Sequence, residues 1–131
     1  GELKKELTAS NIRVTGWLDR QTALRQLADH DVYIQTSLWE GLPFTIIEAM
    51  ALQKPVLATN VIGNKDAVSH QYNGFLCDSL EAFEKAIDEL KSEPQRLNSF
   101  GKHSQKLAYE KFDRDKNFED LEQIYLTQDN L

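Results

Sequence analysis

Short apolar runs alternate along the chain with longer stretches in which apolar residues return every three or four positions. Asn11-Ile-Arg-Val-Thr15 predicts a strand closed by Gly16, and Asp19 can cap a following helix. Ala23, Leu24 and Leu27 fall at helical spacing in that helix, which is expected to end near His30. Val32-Tyr-Ile-Gln35 predicts a second strand, Pro55-Val-Leu-Ala-Thr59 a third and Gly74-Phe-Leu-Cys77 a fourth. Between the second and third, a loop around Gly41 and Pro43 leads to a short, nearly all-apolar helix from Thr45 to Gln53. Pro43 sits where proline is tolerated, at or just before the first turn. Gly63 to Val68 reads as a loop with at most a turn or two of helix. Ser79 caps a helix through about Ser92, with Phe83, Ile87 and Leu90 on one stripe. Pro94 opens another reaching about Lys111, and Asp113 to about Thr127 predicts the last.

Strands and helices joined by short connections predict an α/β fold, a doubly wound, Rossmann-like parallel sheet flanked by helices. Ligands of such sheets bind beyond the carboxyl ends of the strands. The loops to inspect therefore begin at Gly16, Thr36, Asn60 and Cys77.

Composition narrows the function classes. A chain of 131 residues suits one domain and can bury a real core. The formal net charge of −6, from 21 acidic and 15 basic residues, argues against a general nucleic-acid binder. No apolar run approaches the roughly 20 residues that cross a bilayer. The amino end is charged, lacks the apolar core of a signal peptide and starts with Gly1 rather than Met, which reads as a piece of a longer protein. The single cysteine, Cys77, excludes an internal disulfide framework and fits a reducing cytoplasm; in its apolar run it reads as a small buried side chain. His30, His70 and His103 match no metal-ligand spacing and read as surface residues.

The distinctive chemistry lies in Thr36-Ser-Leu-Trp-Glu-Gly-Leu-Pro-Phe-Thr45 and the helix it enters. Free amides of a first helical turn, with the positive end of the helix dipole, suit a diphosphate. Gly41 offers backbone freedom or close approach to a ligand. Glu40 and Glu48, eight residues apart, would lie about 80° from each other on one helix. Across a strand–loop–helix corner they can instead bracket the phosphate pocket. Ionised carboxylates accept hydrogen bonds from vicinal hydroxyls, so the pattern suits a ligand hydroxyl-rich at both ends and anionic between, as a nucleotide sugar is. The residues alone also allow an exposed Glu48 favoured by the dipole, an ordinary loop acid at Glu40, or a glycosidase-like pair.

The segment from Ser37 to Pro55 resembles the Glu-x7-Glu signature of retaining glycosyltransferases of the two-domain GT-B fold, the glycosyltransferase group 1 or family four enzymes. Val56-Leu-Ala-Thr-Asn-Val-Ile-Gly63, Asn73-Gly-Phe-Leu76 and Asn11-Ile-Arg-Val-Thr-Gly-Trp17 resemble neighbouring parts of the same domain. The likeness implies that residues 1–131 form a donor-binding domain for a nucleotide-diphosphate sugar. It implies a full-length hexosyltransferase acting on a glycan or lipid-linked acceptor in polysaccharide, lipopolysaccharide or glycolipid assembly. Nucleotide-sugar epimerases share the fold but lack this spacing.

By that resemblance, Glu48 holds the ribose hydroxyls of the donor, and Glu40 contacts the transferred sugar and helps hold its anomeric carbon. The backbone at Gly41, Leu42, Pro43, Phe44 and Thr45 cradles sugar and phosphates, Pro43 having no N–H to give, and the Thr45 hydroxyl lies near the distal phosphate. Gly16, Trp17 and Leu18 lie along the nucleobase, with packing at the domain edge as the alternative for Trp17. Gly63 reads as a tight-turn residue rather than a ligand contact. The family needs no cofactor and no metal at the diphosphate.

The likeness also implies missing parts. The domain's first two strands, its Gly-Arg and Lys-Gly elements and the N-terminal acceptor domain with its histidine would precede Gly1. The expected partners are then a nucleotide-diphosphate sugar and that N-terminal domain. The expected location is the cytoplasm, or the cytoplasmic face of a membrane for the full-length enzyme. Without those strands, Asn11 to Thr15 would lack a neighbour. The last helix, with Phe112, Phe118, Leu121 and Tyr125 on one stripe, would lack something to pack on. An isolated chain is expected to expose a sizeable apolar surface and to transfer no sugar.

Overall fold

A computed structural model describes residues 9–113 and 115. Its helices are α1 (Arg20–Ala28), α2 (Phe44–Ala51), α3 (Ile62–Ala67), α4 (Leu80–Ser92) and α5 (Pro94–Lys111). Its strands are β1 (Tyr33–Gln35), β2 (Val56–Thr59) and β3 (Gly74–Cys77), paired in parallel in the order β1-β2-β3. The fold is α/β, a parallel sheet with flanking helices.

The central strand shows why. Val56, Leu57 and Ala58 are wholly buried, as a continuous apolar run must be when both faces of a parallel sheet are covered. Side chains alternate between faces, so Val56 and Ala58 join Ile46 and Met50 of α2, Ala67, Val68, Leu107 and Ala108 in one core layer. Leu57 points the other way, into Phe75, Cys77, Phe83, Ala86, Leu90 and Phe100. Helix α5 contributes Phe100 to the second layer and Leu107 to the first, so it wraps the sheet from one face to the other.

Local signals set the ends of the helices. The Asp19 carboxylate accepts the Thr22 amide at 3.0 Å and the Ser79 hydroxyl accepts the Ala82 amide at 3.2 Å, capping α1 and α4. Helix α2 stops in a Schellman turn: the Gln53 amide donates to the Met50 carbonyl and the Lys54 amide to that of Ala49, each at 3.0 Å. Gln53 takes a left-handed φ of 59° to do so, one residue before the chain turns into Lys54-Pro55 and β2.

Three expectations need correction. Asn11–Thr15 forms no strand; it is an exposed, irregular segment, because no strand among the described residues lies beside it to satisfy its N–H and C=O groups. Ile87 is not on the core stripe of α4, which is Phe83, Ala86 and Leu90. Ile87 is turned instead toward a shallow groove beside Ile34 on β1. Gly63 is not in a tight turn but in the first turn of α3, and it is buried. The expected last helix and most of its apolar stripe lie outside the described residues. Among the described residues no helix is long and apolar enough to cross a membrane.

Candidate functional site

Tyr33 and Gln35 alternate on β1 and so share a face, the one that meets the first turn of α2. Gln35 is buried, and both ends of its amide are engaged. Its Oε1 accepts the Tyr33 hydroxyl at 2.9 Å and the Thr45 hydroxyl at 3.1 Å. Its Nε2 donates to Oε1 of Glu40 at 2.8 Å. The Glu40 carboxylate is thereby tied to the strand below it.

The loop carrying Glu40 is also gripped from its other side. The Thr59 hydroxyl at the end of β2 donates to the Ser37 carbonyl. Asn64, wholly buried in α3, donates to the Thr59 carbonyl at 2.9 Å. A Cβ on Gly63 would stand 1.7 Å from the Gly41 carbonyl oxygen and 2.6 Å from that of Glu40, so α3 lies directly on the Glu40 and Gly41 peptides.

Glu48, on α2, is held from α1. The Arg20 guanidinium donates to Oε1 of Glu48 from Nε at 3.0 Å and from Nη2 at 2.6 Å. Arg20, Ala23, Leu24, Leu27, Tyr33, Thr45 and Glu48 line a groove between the two helices with an apolar wall supplied by α1. Tyr33 stands where the two acids meet. Burial raises its hydroxyl pKa, the neighbouring Thr45 hydroxyl opposes this, and the charges of both Glu40 and Glu48 raise it further.

The start of α2 differs from those of α1 and α4. Its cap is Pro43, which has no side-chain acceptor to offer. The Ile46 and Ile47 amides reach the Pro43 carbonyl at 3.0 and 3.3 Å. The Phe44 and Thr45 amides have no such acceptor among the described residues, as expected of an uncapped first turn. The helix therefore presents two free donors and its positive end between anchored carboxylates.

The sequence-predicted residues fall in two groups. Glu40, Gly41, Leu42, Pro43, Phe44, Thr45 and Glu48 share one loop–helix corner. Gly16, with a φ of +70°, Trp17 and Leu18 lead into α1, whose Arg20 reaches that corner. Trp17 is 98% exposed. Gly41 has a φ outside the left-handed region, and no protein atom lies within 4 Å of where a Cβ would be. Arg20, Tyr33, Gln35 and Asn64 were not foreseen. Only Gln35 carried a signal, as a polar residue ending an otherwise apolar strand.

The remaining reactive groups lie elsewhere. Burial, and then neighbouring Asp78, raises the Cys77 thiol pKa, which leaves it protonated and inert. His70 accepts the Leu76 amide through Nδ1, while His103 donates from Nδ1 to the Tyr72 carbonyl and stacks on that ring. Among the described residues no three His, Cys, Asp or Glu side chains gather to hold a metal ion.

Comparison with known proteins bears on this corner. The family model for glycosyl transferases group 1 matches residues 2–107. The UDP-Gal:alpha-D-GlcNAc-diphosphoundecaprenol alpha-1,3-galactosyltransferase of Escherichia coli is 28% identical over 126 residues, covering 95% of this chain and 30% of that protein. The capsular polysaccharide biosynthesis glycosyltransferase CapM of Staphylococcus aureus is 30% identical over 99 residues, covering 74% and 26%. HepE of Anabaena, solved in complex with UDP, superposes with a TM-score of 0.70 at 27% identity, covering 82% of this chain and 29% of that one. It has also been solved with UDP-glucose. The chain thus spans less than a third of each protein it matches here.

Proposed function

Because the chain belongs to the glycosyl transferases group 1 family, we propose that it is the donor-binding part of a sugar transferase and that the Glu40–Glu48 corner is its site. The observation that carries this reading is the uncapped start of α2 between two anchored carboxylates. Its free amides donate to the diphosphate, Glu48 takes the ribose hydroxyls and Glu40 the hydroxyls of the transferred sugar. Gly16, Trp17 and Leu18 flank the base. Uridine diphosphate sugars are the proposed donor class, supported by the UDP-Gal in the name of the E. coli relative and by the UDP complexes of HepE.

In the full-length protein the bond between the anomeric carbon and the diphosphate oxygen breaks, and the oxygen of an acceptor hydroxyl forms the new bond on the same face, retaining configuration and passing its proton to the departing diphosphate. The helix end and backbone amides offset charge on the departing diphosphate, a role that requires no metal. A hexose as the sugar moved, and a glycan or lipid-linked acceptor, are supported by the names of the E. coli and S. aureus relatives. The acceptor site belongs to a separate N-terminal domain of the same protein, working in the cytoplasm or at the membrane's cytoplasmic face. Residues 1–131 alone bind donor but do not transfer it, since transfer needs both reactants held together.

Titration calorimetry with UDP and UDP-glucose tests the assignment. Glu48→Ala should weaken both ligands by about tenfold or more, the worth of hydrogen bonds to a charged group. Glu40→Ala should remove only the advantage of the sugar nucleotide over UDP. Equal losses for both ligands in both variants would show the roles to be wrong, and sugar transfer by the isolated chain would overturn its proposed inactivity.

A further inference from the structure

We infer that Gln35 is a positioning residue for the sugar-contacting carboxylate, setting how strongly the site prefers a nucleotide sugar over the bare nucleotide. This deepens the donor-binding reading and rests on it. Gln35 is 8% exposed, so it is beneath the site rather than on its surface. Its amide can take only one orientation. Ionised Glu40 accepts but does not donate, so the NH2 end must face it; the carbonyl end then receives the hydroxyls of Tyr33 and Thr45. Two donors converge on one oxygen, which leaves the amide little freedom to rotate and polarises the N–H given to Glu40.

The consequence is specific to one carboxylate oxygen. Oε1 of Glu40 is held by Gln35, which leaves Oε2 and the remaining lone pair of Oε1 for a sugar hydroxyl. Glu48 is held by Arg20 and has no bond to Gln35. A change at Gln35 that keeps its acceptor for Thr45 should therefore appear in recognition of the sugar and spare that of the nucleotide. A leucine there would remove the amide and leave Tyr33, Thr45 and Glu40 without their shared partner. A glutamate is the more telling change. It still accepts from Tyr33 and Thr45, but it replaces the fixed N–H with a second carboxyl against Glu40. The bond to Glu40 then exists only while the two acids share a proton and gives way to repulsion when both are ionised.

The test is calorimetry on the 131-residue chain with UDP and with UDP-glucose, for the unsubstituted protein, Gln35→Glu and Gln35→Leu. The expected result is that in Gln35→Glu, at alkaline pH where both acids are ionised, the ratio of the two affinities falls about tenfold relative to the unsubstituted protein, the worth of one hydrogen bond to a charged group. The ratio is regained as lower pH supplies the shared proton, while UDP affinity matches that of the unsubstituted protein. Retained UDP affinity also reports that the variant is folded. A ratio in Gln35→Glu that is unchanged across that pH range overturns the inference and leaves the donor-binding reading standing. So does an equal loss for both ligands, which marks Gln35 as merely structural. Failure of the unsubstituted chain to bind either ligand overturns the donor-binding reading, and this inference with it.

Discussion

Gly63 lies so close to Gly41 that a Cβ on Gly63 would come within 1.7 Å of the Gly41 carbonyl oxygen. The contact is backbone against backbone, so no side-chain rotation can relieve it. Gly63→Ala must push α3 off the loop that carries Glu40. The expected cost is about 1–3 kcal/mol, as for overpacking elsewhere, with donor affinity falling as Glu40 moves. Gly41→Ala is the contrast: with open space around it, its stability should stay within about 0.5 kcal/mol of the parent. Urea unfolding of both variants checks the pair, and a Gly63→Ala protein as stable as the parent would refute the packing argument.

Gln53 ends α2 in the left-handed region, where a side chain is disfavoured by about 1–2 kcal/mol and glycine is not. Gln53→Gly should therefore stabilise the chain by up to about 1 kcal/mol, less the small worth of the exposed bond from Gln53 Nε2 to Gln105 at 2.8 Å. A rise in the urea midpoint at unchanged slope is the expected reading. A fall would mean that the Gln105 bond outweighs the backbone term.

Much of this was legible in the residues themselves. Ser79, Pro94 and the run Gly74–Cys77 mark their elements to the residue, because caps, a helix-opening proline and a bounded apolar run are local physics. Asn11–Thr15 was misread because a strand exists only through a neighbour, and nothing in five residues reveals whether one is there. Ile87 was misread because Phe83, Ala86, Ile87 and Leu90 all fit a helical stripe, and the sheet decides which of them turn inward. Glu40 and Glu48 stood out by the resemblance of their segment to the Glu-x7-Glu signature, yet the residues that aim them did not. Arg20 reaches Glu48 across 28 positions and Gly63 meets Gly41 across a chain reversal, relations that only the folded sheet creates.

Cys77 ties stability to alkaline pH. Its thiol pKa is raised in the folded chain, chiefly by burial. The stabilising contribution of the neutral thiol is thus complete below the unfolded thiol's pKa, about 8.5. It is lost as pH rises from there through the folded value. Compared with Cys77→Ala, the parent chain should lose stability progressively above about pH 8.5, Tyr33 and the lysines being common to both. Urea midpoints of the two proteins measured at neutral and alkaline pH give the comparison. Parallel midpoints across that range would mean that the thiol is not desolvated as described.

The carboxyl end of the sheet carries a rim of exposed apolar side chains. Leu38 is 90% exposed, Trp39 83%, Phe44 74% and Ile62 81%. Leu38, Trp39 and Phe44 follow β1 and Ile62 follows β2, and the Gly63–Gly41 contact brings the two stretches together. Apolar groups so placed lower their free energy by about 25 cal/mol for each Å² that leaves water, so an isolated chain should cover them with whatever is available. The purified chain is expected to brighten a hydrophobic dye and to self-associate as its concentration rises. Replacing Trp39 and Phe44 with serine should weaken both effects without lowering the melting temperature, since neither side chain is buried. Sedimentation and dye fluorescence give the answer together. A monodisperse monomer that leaves the dye dark would show that this rim is too small or too broken to act as an adhesive surface.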